Sequence, residues 1–249
     1  MRQRPRLVVT AGPTWEPLDP VRGLTNRSTG AMGYAVAELA RQRAHRVTLV
    51  TGPSQLTAPR GVRIIRVTTA RQMRARTLQA LARADALVMT AAVADYRPAM
   101  RQRTKRKRSG RAVTLRLIEN PDILAEAGRR FAGRKTLVGF ALESGRVAAH
   151  AQRKLYRKRA DLIVGNTIRN GRATFGAQSL TDVVFVARVG AFMRRRRATK
   201  RWVAARILDF IEQQQENSVP AQQATGKEKE RPKGKTTFSL RGGSRKATD

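Results

Sequence analysis

Lys154 and Lys158 stand four residues apart in KLYRKRAD. On a helix the two ammoniums share one face. Like charges at that spacing repel mildly, which suits an anion held between them; the competing reading is a solvated face in a basic chain. Any chemistry here must run on such groups. The chain has no cysteine, which removes a thiolate nucleophile, a disulfide framework and a Cys-ligated metal. Its two histidines, His45 and His150, are too few for a multi-His metal site. What remains is Asn, Lys, Arg, Asp and main-chain groups.

Four other segments carry such groups. TAGPTWEPLDPVRGLTNRSTGAMG (10–33) is a long Gly/Pro-rich loop entering a helix near Gly33, where Ser28, Thr29 and Gly30 precede N–H groups free to meet a phosphate. It contains neither the G-x-G-x-x-G dinucleotide fingerprint nor the G-x-x-x-x-G-K-[ST] phosphate loop, and no acidic residue ends the second strand. AAVADYRP (91–98) puts Asp95 just past an apolar strand, placed for a ribose hydroxyl or a phosphate-bound Mg2+, or simply for a turn or cap. Asn120-Pro121-Asp122 makes a sharp turn in which Asp122 suits a helix cap. In VGFALES (138–144), Phe140 is either a platform for a base or a core residue.

The elements that must position these groups alternate. LVVT (7–10), VTLVT (47–51), VRIIRV (62–67), ALVMTAAVA (86–94), TLVGFAL (136–142) and DLIVGN (161–166) read as strands. Helical spacing runs through 33–43, 69–84, 146–159 and 201–214. The continuous apolar run 86–94 suits a central parallel strand covered on both faces. The rhythm predicts a three-layer α/β/α, Rossmann-like domain with a mainly parallel sheet. VTLRLIE (113–119) and SLTDVVFVARVG (179–190) look like antiparallel extensions. In such sheets ligands sit beyond the carboxyl ends of the strands. The domain is expected to span 1–214, with 215–249 a basic disordered tail.

Of 249 residues, 52 are Lys or Arg and 17 Asp or Glu, a net charge of +35. Arg101–Arg111 has seven basic residues in eleven, and Arg194–Arg201 six in eight. Such charge raises nucleic-acid binding as a function. Yet no aromatic residues interleave with the basic runs as a stacking platform requires, so salt-sensitive, incidental binding is expected rather than a specific role. No apolar run reaches the length of a membrane span, and no export signal is visible at the start. The expected location is the cytoplasm.

In this order the segments resemble phosphopantothenoylcysteine synthetase, in bacteria usually the C-terminal half of a bifunctional coenzyme A biosynthesis protein. The resemblance covers roughly residues 6–190 and rests on AGPTWEPLDPVR, NRSTGAMG, AAVADYRP, KRKR (105–108), NPDIL, VGFALES and KLYRKRAD. It implies a ligase that joins 4'-phosphopantothenate to L-cysteine with CTP and Mg2+, through an acyl-cytidylate. Both nucleophiles belong to substrates, so the protein's task is positioning and charge stabilisation.

By the same resemblance, Asn26 acts on the acyl-cytidylate, its amide holding the anhydride carbonyl, and Lys105 reaches the triphosphate from a flap. Met89, Thr90, Ala91 and Asp95 line the nucleotide site. Pro121, Asp122, Ile123 and Leu124 frame base and ribose, Phe140 packs on the base, and Lys154 and Lys158 bind phosphates. No metal ligand set is implied, Mg2+ arriving with the nucleotide. A homodimer is expected, with segments near 100–120 and 175–190 reaching the partner. Ala31 stands where the family often has Lys, and Trp15 where Arg is common. The flavin-dependent decarboxylase half does not appear in the chain, which implies a stand-alone synthetase with a separate decarboxylase acting on its product. A basic nucleic-acid-binding protein on this scaffold is the alternative; a dinucleotide oxidoreductase is disfavoured by the absent fingerprint.

Overall fold

A computed structural model describes residues 4–108, 110–167, 179–188 and 192–217. In chain order the elements are β1 (Arg6–Ala11), β2 (Trp15–Pro17), β3 (Gly23–Thr25), α1 (Ala31–Gln42), β4 (Arg46–Thr51), β5 (Arg63–Arg66), α2 (Ala70–Ala82) and β6 (Ala86–Met89). Then follow β7 (Tyr96–Pro98), β8 (Leu117–Glu119), α3 (Ile123–Phe131), β9 (Thr136–Glu143), α4 (Val147–Lys158), β10 (Leu162–Thr167), β11 (Thr181–Ala187), β12 (Phe192–Ala198) and α5 (Lys200–Asn217).

Eight strands form one sheet in the order β12-β11-β10-β9-β6-β1-β4-β5. All pairings from β5 to β10 are parallel, and β11 and β12 each add antiparallel to the neighbour before them. Side chains alternate between two covered faces. Leu7, Val9 and Ala11 of β1 pack with Val36 and Ala37 of α1 and Ile207 and Leu208 of α5. Val8, Leu87 and Leu137 face the other layer, with Met73 and Leu81 of α2, Ala127 of α3 and Leu155 of α4. Burial on both sides is why the central strands read as unbroken apolar runs. The architecture is the three-layer α/β/α expected.

Local chemistry sets the element ends. Thr69 Oγ1 accepts from Gln72 N (3.2 Å) while Gln72 Oε1 accepts from Thr69 N (3.1 Å), a reciprocal cap on α2. Asp122 Oδ1 caps α3 through Ala125 N (2.9 Å).

Several expectations change. The strand expected over 86–94 ends at Met89, because Thr90 turns out of the sheet and residues 91–95 build a loop. The loop over 10–33 contains the hairpin β2–β3, in which Trp15 covers Gly23 so closely that a Cβ there would lie 2.4 Å from the indole Nε1. Of 113–119 only Leu117–Glu119 is strand, paired with β7 in a ribbon outside the main sheet. The arginine run 194–197 lies in β12, a strand that the apolar pattern does not announce. α1 starts at Ala31, two residues earlier than expected, and α5 continues to Asn217, past the expected domain end. The tail beyond it, and part of the expected partner segment 175–190, lie outside the described residues.

Candidate functional site

Strand order runs outward from β1 both ways, to β4 and β5 on one side and to β6, β9 and β10 on the other. The crevice between the ends of β1 and β6 is therefore the topological switch point. A cavity of about 930 Å3 opens there. Its floor is two loops laced together. Thr90 Oγ1 donates to Thr10 O (2.6 Å), and Ala91 N to Thr10 Oγ1 (3.2 Å). Ala94 N donates to Thr14 Oγ1 (3.0 Å), and Asn120 Nδ2 to Ala94 O (2.9 Å). α1 presses on this floor: a Cβ on Gly33 would lie 2.6 Å from both Thr90 Oγ1 and Ala11 Cβ.

The cavity gathers all but one of the expected site residues. Met89, Thr90, Ala91 and Asp95 line it from the β6 end. Pro121, Asp122, Ile123 and Leu124 enter with the start of α3, Phe140 from β9, and Lys154 and Lys158 from α4. Asn26 lines it from the segment after β3. Ala31 faces it from the first turn of α1, so the position where relatives carry Lys adds no cation. The exception is Lys105, which is exposed and does not line the cavity. Its segment is anchored beside the β2–β3 hairpin: Arg22 Nη2 donates to Arg106 O (2.8 Å), and Gln102 N to Leu18 O (2.9 Å).

Three roles are redrawn by contacts. Asn26 Nδ2 donates to Ala92 O (3.0 Å) and Val93 O (3.3 Å). Both amide hydrogens are thus directed at the main chain, and what Asn26 offers the cavity is the acceptor Oδ1, not a donor to an oxyanion. Lys154 and Lys158 do not face each other across an empty gap. Lys154 Nζ donates to Phe140 O (2.6 Å), and Lys158 pairs with Asp122. Phe140 belongs to both of its readings, lining the cavity while packing on the core.

Electrostatically the cavity is a cationic well. Burial lowers the ammonium pKa of Lys154, with the Glu143 charge opposing, and burial lowers that of Lys158, with Asp95 opposing. A ligand anion would relieve that penalty. Sequence reasoning missed a third lysine, Lys200, at the start of α5, together with Asn166 and Thr181 on the same wall. The available signal was Asn166 itself, a polar residue at the carboxyl end of an apolar strand.

A doubly wound α/β domain with buried cations, amides and main-chain donors at its switch point, and no cysteine or histidine in the cavity, defines an anion- and nucleotide-binding domain that works by positioning. More narrowly, the chain belongs to the family of the DNA/pantothenate metabolism flavoprotein C-terminal domain, which matches residues 2–215. It is 41% identical to the Coenzyme A biosynthesis bifunctional protein CoaBC of Mycobacterium tuberculosis (strain ATCC 25618 / H37Rv) over 217 residues, 83% of this chain and 51% of that one. With CoaBC of Bacillus subtilis (strain 168) the figures are 42% over 180 residues, 72% and 44%. The chain thus spans about half the length of these relatives. A crystal structure of the C-terminal domain of CoaBC superimposes with a TM-score of 0.74 at 35% identity, over 87% of this chain and 98% of that one. The DNA/pantothenate metabolism flavoprotein from Streptococcus pneumoniae shares the fold, with a TM-score of 0.72 at 22% identity, covering 84% and 99%.

Proposed function

We propose that the domain is a ligase of coenzyme A biosynthesis that joins 4'-phosphopantothenate to L-cysteine at the expense of CTP. The observation that carries the reading is the switch-point cavity. It holds buried cations and an oriented amide, on a chain 35% identical to a CoaBC C-terminal domain.

In the first half-reaction the substrate carboxylate attacks the α-phosphorus of CTP, and pyrophosphate leaves. In the second, the amine of cysteine attacks the acyl carbon of the acyl-cytidylate, the C–O bond to phosphate breaks, and CMP departs. Lys154 and Lys158 hold phosphate charge, and main-chain groups from Pro121 to Leu124 frame the nucleoside. Asn26 Oδ1 accepts an N–H of the attacking amine and aims its lone pair at the acyl carbon. Lys105 approaches only when its segment folds over the bound nucleotide. Among the described residues no three His, Cys, Asp or Glu side chains gather to hold a metal; Mg2+ would enter as part of the nucleotide substrate, carried by phosphate oxygens and water.

The protein works as a homodimer in this reading. Supporting it, Tyr96, Met100 and Leu117 on and beside the β7–β8 ribbon are large, apolar and exposed. The product carries a free carboxylate and passes to a flavin-dependent decarboxylase. Among the described residues no helix is long and apolar enough to cross a membrane, and the reaction is placed in the cytoplasm.

The experiment is pyrophosphate release from CTP, ATP, GTP and UTP, each with and without 4'-phosphopantothenate. The expected result is release that requires the acid and is fastest with CTP. Release independent of the acid overturns the ligase, and faster release with ATP overturns the nucleotide choice.

A further inference from the structure

The far wall of the cavity, away from Lys154 and Lys158, carries polar groups to which no role has been given. Asn166 stands near the end of β10, Thr181 begins β11, and Lys200 opens α5; all three line the cavity. Thr181 is 6% exposed, and its Oγ1 has no hydrogen-bond partner; Asn166 Oδ1 is buried and unpartnered as well. Lys200 is 9% exposed, with Nζ donating to Ser179 Oγ (2.7 Å) and Ser179 O (3.1 Å). Among the described residues no carboxylate pairs with it.

Unpaired buried polar atoms are costly, each by the desolvation of its group. Two of them on one wall of an open cavity, beside an ammonium without a counter-charge, have a ready account: a ligand satisfies them. Their types say what kind. An amide oxygen repels a phosphate and needs an N–H or O–H. A hydroxyl gives or takes one bond, and an ammonium wants a carbonyl or an anion. A ligand edge that alternates donor and acceptor fits this set, and a bare polyphosphate does not.

We propose that Asn166, Thr181 and Lys200 form the seat of the acyl substrate, binding the hydroxy-amide chain of 4'-phosphopantothenate and leaving the nucleotide to the opposite wall. This rests on the ligase reading. Asn166 Oδ1 accepts from the hydroxyl or the amide N–H, Thr181 Oγ1 meets the amide carbonyl, and Lys200 lies toward an anionic end. The seat makes these residues specificity determinants for the acid and bystanders for CTP.

The test uses Thr181→Val, Asn166→Leu and Lys200→Met in the full chain, with calorimetric binding of 4'-phosphopantothenate and of CTP measured separately, and thermal unfolding without ligand. Thr181→Val is near-isosteric and removes an orphaned hydroxyl, so the unliganded protein should melt at the same temperature or higher. Its affinity for the acid should fall about five- to tenfold, the worth of one hydrogen bond, with CTP affinity unchanged. Lys200→Met should do the same with a larger loss. Unchanged acid affinity in all three folded variants overturns the seat, and so does a loss confined to CTP, which would make this wall the reader of the base. If the wild-type chain binds the acid through these residues yet releases no pyrophosphate, the ligase reading fails and the seat stands. If the wild type turns over normally and the variants bind the acid as tightly as it does, the ligase stands and the seat fails.

Discussion

Arg22 reaches across 84 residues of sequence to hold Arg106 at its carbonyl oxygen, 2.8 Å away, while Asp19 Oδ2 faces Arg106 N at 3.4 Å. The two side chains are themselves paired, Arg22 Nε to Asp19 Oδ2 at 3.0 Å. Lys105 is therefore exposed but not unanchored: the residue after it is clamped to the β2–β3 hairpin. Replacing Arg22 by Met should release that clamp. Trypsin, which has many sites in 101–111, should cut there severalfold faster at early times, and CTP affinity should weaken because Lys105 is no longer delivered to one place. Cutting at the wild-type rate would show that the clamp does not hold the segment.

The clamp should also resist acid. The hydrogen bonds from Arg22, then the N–H of Val21, hold the Asp19 carboxyl well below the usual carboxylate range. A depressed folded value means that the contribution is complete above the unfolded value and fades only as pH falls through the folded one. The exposure of this segment in the wild type, read with an acid-active protease, should stay flat down to about pH 4, where exposed carboxylates titrate. A rise between neutrality and that point would contradict the pairing.

Asn26→Asp replaces two N–H donors by a carboxylate facing the carbonyls of Ala92 and Val93. It also turns the proposed amine acceptor into a charge beside a phosphate. The second half-reaction should suffer about 10²–10³-fold and the first much less, so that quenched single turnovers accumulate the acyl-cytidylate by mass spectrometry. Product formed at the wild-type rate, or no CTP cleavage at all, would remove Asn26 from the second step.

Lys154 should make nucleotide binding sensitive to alkali. Its pKa is lowered, chiefly by burial, so its positive charge is lost at a pH below the ordinary lysine range. Binding a phosphate raises that pKa, and CTP affinity should therefore drop as pH rises through the lowered value. For the unliganded fold the sign is opposite: the unfolded state holds the extra proton in that window, so stability climbs with pH. Lys154→Met should flatten the affinity profile, with a direct titration of CTP binding across the alkaline range as the readout.

Gly33→Ala forces a methyl into contact with Thr90 Oγ1 and Ala11 Cβ, each 2.6 Å from the new atom. Overpacking of this kind costs about 1–3 kcal/mol. Helix α1 must shift from the end of β1, and the Thr90–Thr10 bond with it. A melting temperature several degrees lower and a weakened CTP affinity should appear together. A fall in stability alone would separate α1 packing from the site.

The parallel core was legible because burial on both faces leaves an apolar trace in strands such as Leu162–Val164. Residues 86–94 show where that trace misleads. Ala91–Ala94 are small and apolar because they approach Thr14, Asn26 and Asn120 through their main chain, not because they lie in the sheet. β12 was invisible for the opposite reason: four arginines look like solvent-facing charge, and their strand is imposed by register with Val183 and Val184. In the site, the groups standing just past strand ends were readable by type. The actual partners, such as Asp122 for Lys158 or main-chain carbonyls for the Asn26 amide, depend on which loops meet in space. Thr181 and Lys200 gave no local signal, since a threonine in a strand and a lysine opening a helix are ordinary.

β12 is also the last strand of the sheet on its side, and its unpaired row of N–H and C=O groups is a template on which another chain could grow. Arg194–Arg197 are all exposed along it, and the register breaks between Thr181 and Val183, with Asp182 Oδ1 receiving Arg197 N at 2.9 Å. Two such edges brought together would set guanidinium against guanidinium over a kinked strand. The arginine row thus acts as an electrostatic guard against edge-to-edge aggregation, one that high salt or a polyanion would disarm.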